Sequence, residues 1–126
     1  MKKRGVLGLA AGTLLLLSGL AHGFLGWPMF DSTLRAANVD ARLVSGLAAG
    51  WYFGSVAMLA FGVIVTHAGV CALRGRRPAA AAVAVIAIAY VLFGLTAFCA
   101  LDWNKHFLGF VLIGAMAGTF ALWRSE

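Results

Sequence analysis

Residues 79–101 read AAAAVAVIAIAYVLFGLTAFCAL, a run without a single charged side chain. Apolar residues fall on every face of this segment, so neither the period of two of a half-buried strand nor the one-sided stripe of a surface helix is present. A hydrocarbon core about 30 Å thick needs roughly 20 apolar residues in a helix to cross it. The run meets that length, and Pro78 punctuates its start.

Working outward, Gly5 to Leu25, Ser45 to Leu73 and Lys105 to Trp123 also meet it without an internal Asp, Glu, Lys or Arg. The expected fold is all-α, an integral membrane four-helix bundle running up-down-up-down, with residues 1–126 forming one transmembrane domain. A barrel is excluded by continuity, because its strands need only about ten residues and turn alternate polar positions to the lumen. The second span is the longest and is expected to tilt or to project past the bilayer.

Composition supports lipid as the solvent. Of 126 residues, 63% are apolar and 11% charged, against roughly 45–50% and about 25% in soluble domains. A chain this short leaves about a third of its unfolded-state surface exposed after folding, and here much of that surface would be apolar.

The net charge of +6 does not point to nucleic acid, because the cations form short clusters between apolar runs rather than a stripe interleaved with aromatics. Lys2, Lys3 and Arg4, then Arg74, Arg76 and Arg77, then Arg124 make seven on one side, against Arg35, Arg42 and Lys105, three on the other. Both termini are therefore expected inside, in the cytoplasm, with the chain in a cell inner membrane. Lys2-Lys3-Arg4 followed by an apolar stretch and Gly19-Leu20-Ala21 also resembles a cleavable secretory signal. The apolar run continues through Phe24, Leu25 and Trp27, which favours a retained span.

The connections carry their own signals. Pro28 is expected to stop the first helix, Ser32 to cap a short surface helix through Ala37, and Asp40 to cap the second span, giving an outer connection over residues 28–44. Arg74-Gly75-Arg76-Arg77-Pro78 reads as a cytoplasmic turn. Asp102-Trp103-Asn104 leaves so little slack that spans three and four must form a tight antiparallel hairpin, with Asp102 or Asn104 capping the fourth. Trp27, Trp51, Tyr52 and Trp103 then fall near the outer interface and Trp123 near the inner one.

No acidic or basic residue falls mid-span, which argues against the four-helix multidrug exporters, whose proton exchange uses a membrane-embedded Glu. The strong charge bias argues against small fluoride channels, which assemble from oppositely oriented subunits. Cys71 and Cys99 thread to opposite ends of the bundle and there is no Cys-x-x-Cys, so a disulfide within the chain and quinone-linked thiol chemistry are both disfavoured. Of the three histidines, His22 and His106 sit about one turn inside the outer surface, with Asp102 one turn from His106, while His67 lies near the inner end. His22, His106 and Asp102 form the candidate cofactor site. Imidazole suits metals and haem iron, although interfacial histidines also bond simply to backbone, water or headgroups.

Glycine makes the stronger pattern. Gly46, Gly50 and Gly54 recur every fourth residue on span two, with Gly8 and Gly12, Gly19 and Gly23, and Gly114 and Gly118 as further pairs. Residues four apart share a helix face, so each set is expected to pack a neighbouring helix, either in this chain or in a second subunit. Tyr90, mid-span, is expected to find a partner such as Ser18, Ser55 or Thr96, because a bare hydroxyl is costly in lipid.

The segments SGLAHGFLGWP at 18–28 and GWYFGS at 50–55 resemble those of small four-span bacterial membrane proteins, and the layout is similar to the DoxX-like class. The resemblance implies the architecture and no activity. Two functions are expected from the residues. One is a non-enzymatic membrane protein that packs with itself or a membrane partner protein through its Gly faces. The other is a redox or ligand-binding protein holding haem, metal or quinone near the outer surface.

Overall fold

The computed structural model describes residues 2–123. Arg124, one of the seven cations on the side of the termini, lies outside them. In chain order the elements are α1 (Lys2–Ala21), a π-helical turn (His22–Gly26), α2 (Trp27–Ala36), α3 (Ala41–Leu73), α4 (Ala80–Ala100), a 3-10 turn (Lys105–Phe107) and α5 (Leu108–Leu122). Four continuous helical rods result: Lys2–Ala36, Ala41–Leu73, Ala80–Ala100 and Lys105–Leu122. Each is long and apolar enough to cross a membrane. No strand occurs among the described residues.

The first rod differs from the expectation. Pro28 does not stop it, and the supposed connection over 28–44 shrinks to residues 37–40. Proline lacks an N–H and its ring collides with the carbonyl one turn back, at Phe24, when the helix is regular. Widening the preceding turn to π geometry removes that collision, and the rod continues to Ala36. Ser32 accordingly caps nothing; its hydroxyl donates to the Met29 carbonyl at 2.7 Å.

Other boundaries follow the expected chemistry. The Asp40 carboxylate accepts the backbone N–H groups of Arg42 and Leu43 at 3.0 and 3.2 Å, capping α3. Asn104 accepts the His106 N–H at 3.0 Å and opens the last rod. Between α3 and α4, Gly75 supplies a left-handed residue, φ 70°, which ends the helix without a Cβ penalty.

Consecutive rods are antiparallel. Small residues set the packing of α1 on α3: a Cβ on Gly8 would stand 3.0 Å from the Gly69 Cα, and one on Gly12 would overlap the Thr66 backbone. Backbones approach this closely only where side chains are missing. Gly94 and Gly114 serve the α4–α5 hairpin in the same way, with Val111 and Val91 filling the space above them. Gly118 lies against Ala87 at ordinary contact distance, 3.6 Å.

At the end carrying the termini, α1 also meets α5. The Arg4 guanidinium lies 5.3 Å from the centre of the Phe120 ring, and its Nε donates to the Phe120 carbonyl at 3.1 Å. That carbonyl belongs to the last turn of α5, where helical carbonyls lack partners and a cation is favoured. By contrast α3 and α4 meet less closely, with Phe61 edge-on to Tyr90 at 6.3 Å, so the order around the bundle is α3, α1, α5, α4.

Length sets the remaining geometry. The first two rods, 35 and 33 residues, are about 50 Å long, whereas α4 with 21 residues reaches about 31 Å. Level at the terminal end, the first pair overhangs the second by about 20 Å at the far end.

Candidate functional site

The π-helical turn is where the first rod is tied to α3. Gly23 and Gly26 lie within it, and a Cβ on Gly26 would stand 2.9 Å from Trp51 Cζ2. The Trp51 ring can therefore lie against the backbone. Its Nε1 donates to the His22 carbonyl at 2.7 Å, and its face stacks on the His22 imidazole, centroids 4.2 Å apart and planes within 2°. Phe30 stacks on Trp51 at 5.2 Å, and Trp27 sits 5.9 Å from Trp51 and 6.0 Å from Tyr52. Aromatic contacts of this kind bury large areas with defined geometry, so the cluster clips the two long rods together.

Beside that clip lies a cavity of about 550 Å³. The first rod contributes Ser18, Ala21, His22, Leu25, Gly26 and Met29, a face repeating every three or four residues. Trp51 and Met58 come from α3 and Phe93 from α4, and the last rod supplies His106, Phe107, Gly109, Phe110 and Ile113. From Ser18 to Met29 the cavity runs about 16 Å along the first rod. A second aromatic group walls it, with Phe93 and Phe110 edge-to-face at 5.0 Å and His106 edge-on to Phe107 at 5.7 Å.

The structure thus brings His22 and His106 to one cavity, as their depths along the helices implied. Asp102 does not join them: it sits exposed in the loop in a left-handed conformation, φ 49°, and is absent from the lining. His67 is remote, near the terminal end of α3, with the Cys71 sulfur 3.8 Å from its Nε2. Among the described residues no group of three or more His, Cys, Asp or Glu side chains is placed to hold a metal ion. The residues present offer a metal two imidazoles and no third ligand, short of the usual four. Trp51 lines the cavity, whereas Tyr52 packs on Trp27.

Two other expectations meet different surroundings. Gly54 lies beside His22, whose Nε2 is 3.7 Å from where a Cβ would stand, but Gly46 and Gly50 face open space within this chain. The Tyr90 hydroxyl is buried without a hydrogen-bond partner. None of Ser18, Ser55 or Thr96 serves it, and the Ser55 hydroxyl instead donates to the Trp51 carbonyl at 3.2 Å.

Sequence reasoning did not single out Met29, Met58, Phe93, Phe110 or Ile113 as cavity residues. In a chain this apolar nothing marks an inward Phe from an outward one. The one legible signal is the repeat of Ser18, His22, Leu25 and Met29 on one helix face, which carries polar groups otherwise scarce in the span.

No family model, no curated protein and no solved structure matches this chain.

Proposed function

We propose that this chain is a multi-pass protein of a bacterial inner membrane, both termini cytoplasmic, that holds a lipophilic small molecule in the cavity beside His22 and His106 without transforming it. The carrying observation is the cavity itself: about 550 Å³, within the range of small-ligand sites, mostly apolar with a few convergent polar groups. Its lining holds two imidazoles and one serine hydroxyl and neither a carboxylate nor a thiol, a poor set for catalysis and an adequate one for orienting a ligand. The seven-to-three distribution of Lys and Arg supports the orientation and puts the cavity in the outer half.

Gly109 provides the test, because it lines the cavity and a Cβ there meets nothing within 4 Å. Gly109→Phe fills the site from an open position. The protein purified in mild detergent is extracted with organic solvent and its bound molecules weighed by mass spectrometry. One species near one per chain, lost in Gly109→Phe at unchanged thermal stability, is expected. Identical extracts from both proteins would mean bulk lipid and would remove the reading. A Soret band in the visible spectrum would replace the lipophile with haem.

The open face at Gly46 and Gly50 favours a second reading, in which the same protein packs against another copy or a membrane partner there. Crosslinking in the bilayer, lost on Gly50→Leu, is its test.

A further inference from the structure

Resting on the reading of the cavity as a ligand site, we infer that its occupant is a single-chain amphiphile with an anionic head, which accepts hydrogen bonds and donates none. The head sits at the His106 rim and the tail runs down toward Met58.

The cavity is polarised along its length. His106 is the outermost lining residue of the last rod, and Lys105, exposed, precedes it in the chain; on the first rod His22 lies between Ser18 and Met29, with Leu25, Gly26 and Met29 beyond it along the overhang. Toward the floor the walls are Met58, Phe93 and Ile113, with the Ser18 hydroxyl the one polar group at that depth. A single hydroxyl among apolar walls offers a polar group less than the two imidazoles do, so the head belongs at the His106 end.

Charge separates the head classes. A cationic head would meet two imidazoles and a neighbouring ammonium, with no carboxylate in the lining to receive it. Asp102 and Asp31 both stand outside the lining, and Asp31, two residues past Met29, has its Oδ2 paired with Arg35 at 2.7 Å. An anionic head instead accepts N–H donors from the imidazoles, and hydrogen bonds to a charged acceptor are the stronger kind.

In a bilayer the head also decides occupancy, because an alkyl tail gains little by leaving lipid for an apolar cavity. From His106 to Ile113 the last rod gives about 10 Å below the imidazoles, which takes the upper part of one extended tail.

The test uses the full chain with Trp27, Trp103 and Trp123 each replaced by Phe, so that Trp51 is the reporter, in nanodiscs of zwitterionic phosphatidylcholine. The probes are 2-bromododecanoate, 12-bromododecanoate and 12-bromododecylamine, whose bromine quenches indole at contact. Saturable quenching by 2-bromododecanoate, weaker quenching by the 12-bromo acid at equal occupancy, and at least tenfold weaker binding of the amine are expected. His106→Ala should weaken acid binding roughly tenfold and leave the amine unchanged. Native mass spectrometry of the unaltered chain with the same probes should reproduce the order of binding, which guards against damage from the Trp27 replacement. Amine binding as tight as acid binding overturns the head class and leaves the cavity reading intact. Stronger quenching by the 12-bromo acid overturns the orientation. If no probe binds saturably in either measurement, the inference falls, and the Gly109→Phe extraction decides the cavity reading separately.

Discussion

Trp51 holds His22 at two points, its indole N–H on the His22 carbonyl at 2.7 Å and its ring face on the imidazole at 4.2 Å. The carbonyl belongs to the π-helical turn, where the widened geometry loosens the regular ladder and leaves backbone oxygens open to outside donors. One side chain from α3 therefore donates into the irregular turn that precedes Pro28. It also sets the imidazole plane at the cavity wall.

Trp51→Phe keeps an aromatic face for His22 and removes the donor. A loss of about 1 kcal/mol is expected, the net value of one such bond, read as a lower denaturant midpoint in mixed micelles. Trp51→Leu, which loses the stack as well, should cost more. Equal stability of Trp51→Phe and the parent would show that the His22 carbonyl is fully served within its own rod.

Glycines that look alike along the chain should differ sharply on substitution. Gly12→Leu drives a side chain into the Thr66 backbone and is expected to abolish the folded monomer, since overlap with backbone cannot be relieved by a rotamer change. Gly50→Leu enters open space and should leave the monomer's stability within about 0.5 kcal/mol, as surface substitutions do. Circular dichroism and size-exclusion chromatography in detergent distinguish the two. Failure of Gly50→Leu to fold would show that the Gly46 and Gly50 face is covered in the folded protein.

Four rods were legible because unbroken apolar length is a strong signal: each run is long enough to cross about 30 Å. The end of the first rod was not legible. Pro28 carries a local rule, and the exception to it is a π-helical turn into which Trp51, far along the chain, donates. What the Gly46, Gly50, Gly54 repeat packs against was not legible for a related reason. Periodicity states which residues share a face, not what stands opposite. The contact face actually used mixes Gly5, Gly8, Gly12 and Gly19 with Leu59, Gly62, Thr66 and Gly69, at spacings of three, four and seven. The His22–His106 convergence was readable from depth alone, whereas excluding Asp102 required the conformation of the loop.

Cys71 and Cys99 report the orientation. Both are free, and they lie near the C-terminal ends of α3 and α4, which run in opposite directions, so they mark opposite ends of the bundle. With the termini cytoplasmic, an impermeant maleimide added to intact cells should label the exposed Cys99 and spare Cys71. Labelling of Cys71 from outside would reverse the topology and move the cavity to the cytoplasmic half.

Tyr90 offers the sharpest test of the packing. Its ring is buried in the core, 6.3 Å from Phe61 and 5.7 Å from Phe110, while its hydroxyl has no partner. A buried polar group without a hydrogen bond is destabilising, by about 1–3 kcal/mol in mutational series, and deleting the oxygen leaves the aromatic contacts in place. Tyr90→Phe should therefore match or exceed the parent in stability, an unusual outcome for a core substitution, most of which destabilise. Tyr90→Leu controls for the ring and should be clearly less stable, because it removes both edge-to-face packing and buried area. Denaturant unfolding in mixed micelles reads all three proteins on one scale. A loss above about 1 kcal/mol in Tyr90→Phe, the value of a satisfied hydrogen bond, would mean that the hydroxyl finds an acceptor in the membrane. Tyr90 would then be a polar tie across the bundle rather than an aromatic wedge within it.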